Sequence, residues 1–181
     1  MIKRVLVSGA ALLAAAFIGC SGDSGGLNLP QKPQIVTDRD SIVDTFFVGQ
    51  GRAETLGVSN GGVEDLVVTS LTLTATDPGL LNPVNLSDGG VITPFALSYN
   101  GILSASSTPD SGVVINNTLK SNTTGFVALS FARPPPGMFQ AADGGIYKAT
   151  LTITSNAENA PSKVISLENW PNALPDGGHG P

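Results

Sequence analysis

Tyr147-Lys148-Ala149-Thr150-Leu151-Thr152-Ile153-Thr154 decides how this chain is read. Tyr147, Ala149, Leu151 and Ile153 alternate with Lys148, Thr150, Thr152 and Thr154, and residues two apart in a strand project from the same face. The stretch predicts a strand with an apolar inner face and a polar outer one, the pattern of an antiparallel sheet solvated on one side. Its threonines and isoleucine favour the pleated, half-buried surface over a helix.

Outward from this strand the same signal recurs. Phe126 to Phe131 alternates with Val127, Leu129 and Phe131 inward, and Pro134-Pro135-Pro136-Gly137 ends it. Lys163 to Glu168 predicts a last strand with Ile165 and Leu167 inward, after a polar turn from Asn156 to Pro161. Upstream, Leu66 to Thr76 predicts a long strand with Val67, Leu71 and Leu73 on one face and Thr72, Thr74 and Thr76 on the other. Arg52 to Ser59 places Leu56 and Val58 together, and Asn60-Gly61-Gly62 is a turn signal. Ser41 to Val48, Phe95 to Leu103 and Val113 to Ile115 complete the set, with turn-rich sequence over Asp77 to Gly90 and a polar loop over Ser104 to Gly112. No mature window carries a 3.6-residue apolar period. Seven or eight short strands predict an all-β sandwich over residues 35–168.

Composition agrees with this reading. Charged residues are 13% of 181, and glycine (22) and proline (13) are plentiful, which suits strands and tight turns. Residues 1–19 read as a signal peptide, and removing them leaves 181 − 19 = 162 residues, enough for one domain with a sizeable core. Lys3 and Arg4 leave with that leader, so 7 basic residues face 14 acidic ones, a net charge of −7. An acidic chain is a poor partner for nucleic acid or anionic headgroups. With a single cysteine, Cys20, no internal disulfide can form.

The leader has a basic start, Met1-Ile2-Lys3-Arg4, and an uncharged run from Val5 to Ile18, shorter than the ~20 residues that span a bilayer. Its end, Phe17-Ile18-Gly19-Cys20, resembles a bacterial lipobox, with Phe17 where leucine is usual. The resemblance implies cleavage before Cys20, acylation of its thiol and freed amine, and membrane attachment through that lipid. Ordinary secretion with a cut near Ala14-Ala15-Ala16 is the alternative. Several acyl chains, at ~0.8 kcal/mol per buried CH₂, would make the attachment effectively permanent. Ser21 after the cysteine leans toward the outer membrane over the inner, by resemblance to enterobacterial lipoproteins. Residues 20–34, the lipidated cysteine and SGDSGGLNLPQKPQ, read as a flexible tether with an r.m.s. reach of ~20 Å.

Within that tether, Gly22-Asp23-Ser24-Gly25-Gly26 matches the string around a serine-protease nucleophile. A serine needs a histidine base held by an acid, and the only histidine, His179, lies near the far end in a glycine-rich stretch. The string reads as linker composition. Asp38, Asp40, Asp88 and Asp143 lie in turns where oxygen ligands for Ca²⁺ could gather, but acids also stabilise turns, and no stretch has the spacing of an EF-hand loop. No cofactor, metal site or catalytic group is expected. Met138 and Phe139, after the triple proline, and Trp170 are the candidate interaction surface for an unidentified protein or cell-envelope partner; these aromatics also leave open a carbohydrate-binding role. Residues 169–181 read as a flexible C-terminal tail.

Two longer segments carry a family resemblance. VGQGRAETLGVSNGGVEDLVVTSLTL (48–73) resembles the opening of ASPM/Hydin-type immunoglobulin-like domains, found also in bacterial choice-of-anchor D proteins. FVALSFARPPPGMFQAADGGIYKATLTITSNAENAPSKVISL (126–167) resembles their closing part, with its Gly-x-Tyr, its Leu-x-Ile strand and its Ser-Asn turn. The resemblance spans Ile42 to Leu167. It departs from the pattern over 77–122, which is longer and more irregular, and at Leu167-Glu168-Asn169, where Leu-x-Gly is usual. It implies an immunoglobulin-like sandwich used as a scaffold or binding module without enzymatic activity.

Overall fold

In a computed structural model of the chain, the described residues are 29–99, 102–104, 113–142 and 145–172. They form two five-stranded sheets packed face to face. Sheet A runs β1 (Ile35–Thr37), β3 (Gly51–Asn60), β10 (Thr124–Ala132), β7 (Phe95–Tyr99), β8 (Ile102–Ser104). Sheet B runs β2 (Ser41–Phe46), β12 (Ser162–Pro171), β11 (Tyr147–Ser155), β4 (Leu66–Ala75), β9 (Val113–Leu119). A small ribbon, β5 (Val84–Asn85) with β6 (Val91–Ile92), lies apart from both.

The alternation read from the sequence is the alternation observed. Tyr147, Ala149, Leu151 and Ile153 are buried on β11, and Ile165 and Leu167 beside them on β12. Val127, Leu129 and Phe131 on β10 meet them from sheet A, with Leu56 and Val58 on β3. Phe95 packs edge-on against Phe131, ring centroids 5.6 Å apart. The period of two works because each sheet has one face on this core and one in water.

Strand β4 departs from the simple period. Leu66 and Val68 are buried, as is Leu71, while Val67 points away from the core. The pairing with β11 shifts between Thr154 and Ser155, two residues of β4 against one of β11. That β-bulge adds a residue and reverses the phase of the strand, so Val67 does not share a face with Leu71 and Leu73. Beyond it, Asn116 on β9 adopts a left-handed φ of 43° at a second register shift, a conformation asparagine tolerates better than most residues.

Three further segments differ from the expectation. Phe95 to Leu103 forms two antiparallel strands, β7 and β8, instead of one. Asp77 to Gly90 holds a short 3₁₀ helix, Pro78–Leu81, capped by the Asp77 side chain, whose Leu80 and Leu81 reach the core. The last strand runs on through Pro171, past the boundary at 168, so Asn169 and Trp170 belong to the sheet. The signal peptide, Cys20 and most of the tether, including Ser24, lie outside the described residues, as do Asp143 and His179.

The first two strands enter different sheets. β1 pairs antiparallel with β3 in sheet A, and after Asp38 to Asp40 the chain crosses over so that β2 pairs parallel with β12 in sheet B. The Asn60-Gly61-Gly62 turn does not close a hairpin either. It carries the chain from β3 in sheet A to β4 in sheet B.

Candidate functional site

At the end of the sandwich where β10 stops and β11 begins, Arg133 turns inward. It is 4% exposed. Its Nη1 donates to the Asn169 carbonyl (2.9 Å) and to Asn169 Oδ1 (3.4 Å), and its Nη2 donates to the Gly145 carbonyl (2.6 Å). The guanidinium lies 4.4 Å from the centroid of the Tyr147 ring, a cation–π distance. Asn169 completes the frame by donating from Nδ2 to the Ala132 carbonyl at 3.0 Å. Burial pushes the Arg133 guanidinium below its ordinary value, with Tyr147 opposing the shift.

Sequence explains why Arg133 sits here. Ala132 is the last residue of β10, and the triple proline that follows cannot continue a ladder. Backbone bonds to the facing loop hold the turn-off instead: Arg133 N donates to Gln50 O and Gly49 N to Arg133 O, both at 2.8 Å. Gly49 has φ 78°, a conformation open to glycine at no steric cost.

Beside Arg133 lies a pocket of about 450 Å³ walled by Phe46, Phe47, Val48, Pro136 and Pro171, with Asn172 at its rim. Its volume falls in the range of small-molecule sites, about 300–1,000 Å³. It opens where β2 and β12 end side by side.

At the same end, opposite Asn169 in the β2–β12 pairing, Asp44 projects inward from β2. It is 5% exposed, and its Oδ1 accepts a bond from Arg52 of β3. Arg52 also meets Glu54 at 2.5 Å, and Glu54 meets Arg39 at 3.3 Å. Asp44 Oδ2 is buried and has no hydrogen-bond partner among the described residues. Loss of water raises the Asp44 carboxyl above its ordinary range; Arg52 opposes the rise and Glu54 adds to it.

The sequence-derived surface residues differ in exposure. Met138 is exposed, but Phe139 is half-buried, packed on the core and edge-on to Tyr147 at 6.5 Å. Trp170 stands on the outer face of sheet B, 42% exposed, and donates from Nε1 to Glu168 Oε2 at 2.8 Å. Glu168 is held below its usual range by that bond first and by Lys148, 3.2 Å away. Arg133 and Asn169 carry no local motif. The only signal for Arg133 was an arginine where a strand meets three prolines. Of the turn acids, Asp40 pairs with Lys163 at 2.8 Å, Asp38 with Arg39 at 3.6 Å, and Asp88 accepts from Gly90 N at 2.9 Å. Among the described residues no three His, Cys, Asp or Glu side chains gather as for a metal.

Two antiparallel-dominated sheets, a chain that switches sheets near its start and a core of alternating residues define an immunoglobulin-like β-sandwich. No family model and no curated protein matches the sequence. Solved structures of similar fold include the ASH/PapD-like domain 7 of human CEP192 (15% identity, 87% of this chain and 98% of that one, TM-score 0.45). A protein of unknown function from Porphyromonas gingivalis W83 is also similar (16% identity, 82% of this chain, TM-score 0.47), and this chain spans about half of it, 51%. The periplasmic chaperone SfaE is a third (8% identity, 78% of this chain and 59% of that one, TM-score 0.41).

Proposed function

We propose that this protein is a non-enzymatic cell-envelope lipoprotein, attached through acyl chains on Cys20 and directed to the outer membrane in preference to the inner. It presents its sandwich, of the ASPM/Hydin-like type, as a structural or protein-interaction module. The observation that supports a scaffold over an enzyme is how the buried polar side chains are used. Asn60 and Asn169 both hold backbone carbonyls, so their polarity goes into shape. The Phe17-Ile18-Gly19-Cys20 motif supports the anchor. Intact mass of the mature protein from its native host should show Cys20 as the N-terminal residue carrying acyl mass, and Cys20→Ala should move the protein out of the membrane fraction. An unmodified N-terminus near residue 17 would replace the anchor with ordinary secretion.

Trp170 supports a second reading, a carbohydrate-binding module. Its indole is tied at one edge to Glu168 and exposed on a sheet face rich in serine and threonine. Glycan-array binding that disappears in Trp170→Ala would favour this reading, and a blank array would remove it.

A further inference from the structure

We propose that the pocket between Phe46, Val48 and Pro171 binds the carboxylate end of an acyl chain, with Arg133 as the cation that recognises it. Two independent features of the site lead there. The first is the wall. Five of its residues, Phe46, Phe47, Val48, Pro136 and Pro171, offer hydrocarbon, and the two prolines bring no N–H.

The second is the charge. Arg133 lines the pocket and is 4% exposed, yet its bonds run to neutral oxygens, two of Asn169 and one of Gly145. Among the described residues no carboxylate lies within ion-pair distance of it. A buried cation is costly without an anion, and carbonyl dipoles and a ring face offset that cost only in part. A guanidinium has five N–H donors, and a carboxylate matches its fork. Gly145, whose carbonyl accepts from Arg133 Nη2, also lies beside Pro171 of the pocket wall. A Cβ built on Gly145 would stand 3.5 Å from Arg133 Nη2 and 3.8 Å from Pro171 Cγ.

An apolar body with one carboxylate satisfies both features. A peptide C-terminus brings the same carboxylate, but its amides would meet a wall with few polar partners, and burying an amide without a hydrogen bond costs several kcal/mol (roughly 2–7). The acyl chain is therefore the better occupant.

The test is calorimetric titration of the purified protein with decanoate, with decanol and with the tripeptide Ala-Leu-Val. Decanoate should bind, and decanol about tenfold more weakly, the loss of one charge-assisted contact. Val48→Trp, at a half-exposed wall position, should fill the pocket and weaken decanoate at least about tenfold while leaving the melting temperature unchanged. Arg133→Met should abolish the preference for decanoate over decanol; if it does not fold, the Val48→Trp comparison decides alone. Asp143→Asn should leave binding unaltered. The proposal is overturned by equal binding of decanoate and decanol, by indifference to Val48→Trp, by tighter binding of the tripeptide, or by a gain in decanoate affinity in Asp143→Asn, which would make Asp143 the anion that Arg133 serves.

Discussion

At one end of the sandwich three asparagines hold the chain together; at the other an arginine and an aspartate are buried to do it. Asn60 accepts from Gly62 N (2.9 Å) and donates to the carbonyls of Glu64 (2.8 Å) and Leu119 (3.0 Å). Asn156 accepts from Val67 N (2.7 Å) and donates to Asp65 O (3.1 Å). Asn159 both accepts from and donates to the backbone of Ile35, at 2.9 Å each way. Each amide imitates a neighbouring strand, offering one donor side and one acceptor side. This is how β1 and the turn into β4 are stitched to the end of β11 without a net charge.

The Arg133 end solves a similar geometric problem at greater electrostatic cost. Removing a guanidinium or a carboxylate from water is far more expensive than removing an amide. Both charged groups there register that cost, Arg133 by its lowered pKa and Asp44 by its raised one. The difference teaches that the asparagine end holds its backbone with neutral amides, whereas the charged end carries two groups whose burial costs free energy.

That contrast can be broken most easily at Asn60. Asn60→Ala would orphan Gly62 N and the Leu119 carbonyl in a buried turn and should cost about 3 kcal/mol in urea denaturation. Gly62→Ala should come close to it, because a Cβ there would stand 2.0 Å from the Lys32 carbonyl oxygen; about 2–3 kcal/mol is expected from the same measurement. Arg133→Met should cost less, about 1–2 kcal/mol, since it strands neutral oxygens and removes a buried charge. If Arg133→Met proved more damaging than Asn60→Ala, the contrast between the ends would be wrong.

Asp44→Asn sharpens the comparison through pH. Because the folded pKa of Asp44 is raised, the folded state holds its proton more firmly than the unfolded state does. That contribution to stability is complete below the unfolded pKa and is lost as pH rises through the folded value. The substituted amide does not titrate, so the variant should gain on the parent as pH rises above about 4, by less than about 1 kcal/mol. Stability curves at acidic and neutral pH would show the gap open, and a gap that closes as pH rises would contradict the assignment. The smallest effect is expected at Trp170. Trp170→Phe loses one exposed bond to Glu168 and should shift stability by no more than about 0.5 kcal/mol.

Much of the fold was legible along the chain, residue by residue. Leu151 and Ile153, Val127 and Leu129, and Ile165 and Leu167 could be assigned inward because alternation is a property of the strand alone. Val67 could not, since the bulge that turns it outward arises from pairing with β11. The split of Phe95 to Leu103 into two strands does have a local signal, the hairpin dipeptide Asn100-Gly101 between Tyr99 and Ile102. The apolar residues on either side of it mask that signal by reading as one run. Of the site, the aromatic candidates were visible and Arg133 was not. An arginine before prolines has no meaning until Gly145, Tyr147 and Asn169 come to it from other parts of the chain.

The sequence by itself determined an all-β chain, the face of each regular strand and an acidic composition with a single cysteine. These follow from local composition and from a period of two. Only the tertiary structure decided that β1 and β2 enter different sheets, that β2 runs parallel to β12, that Asn159 closes onto Ile35, 124 residues away, and that a buried arginine borders a pocket. The physical reason is that pairing and burial depend on partners distant in the chain, and a strand's own alternation says which face it buries without saying against what.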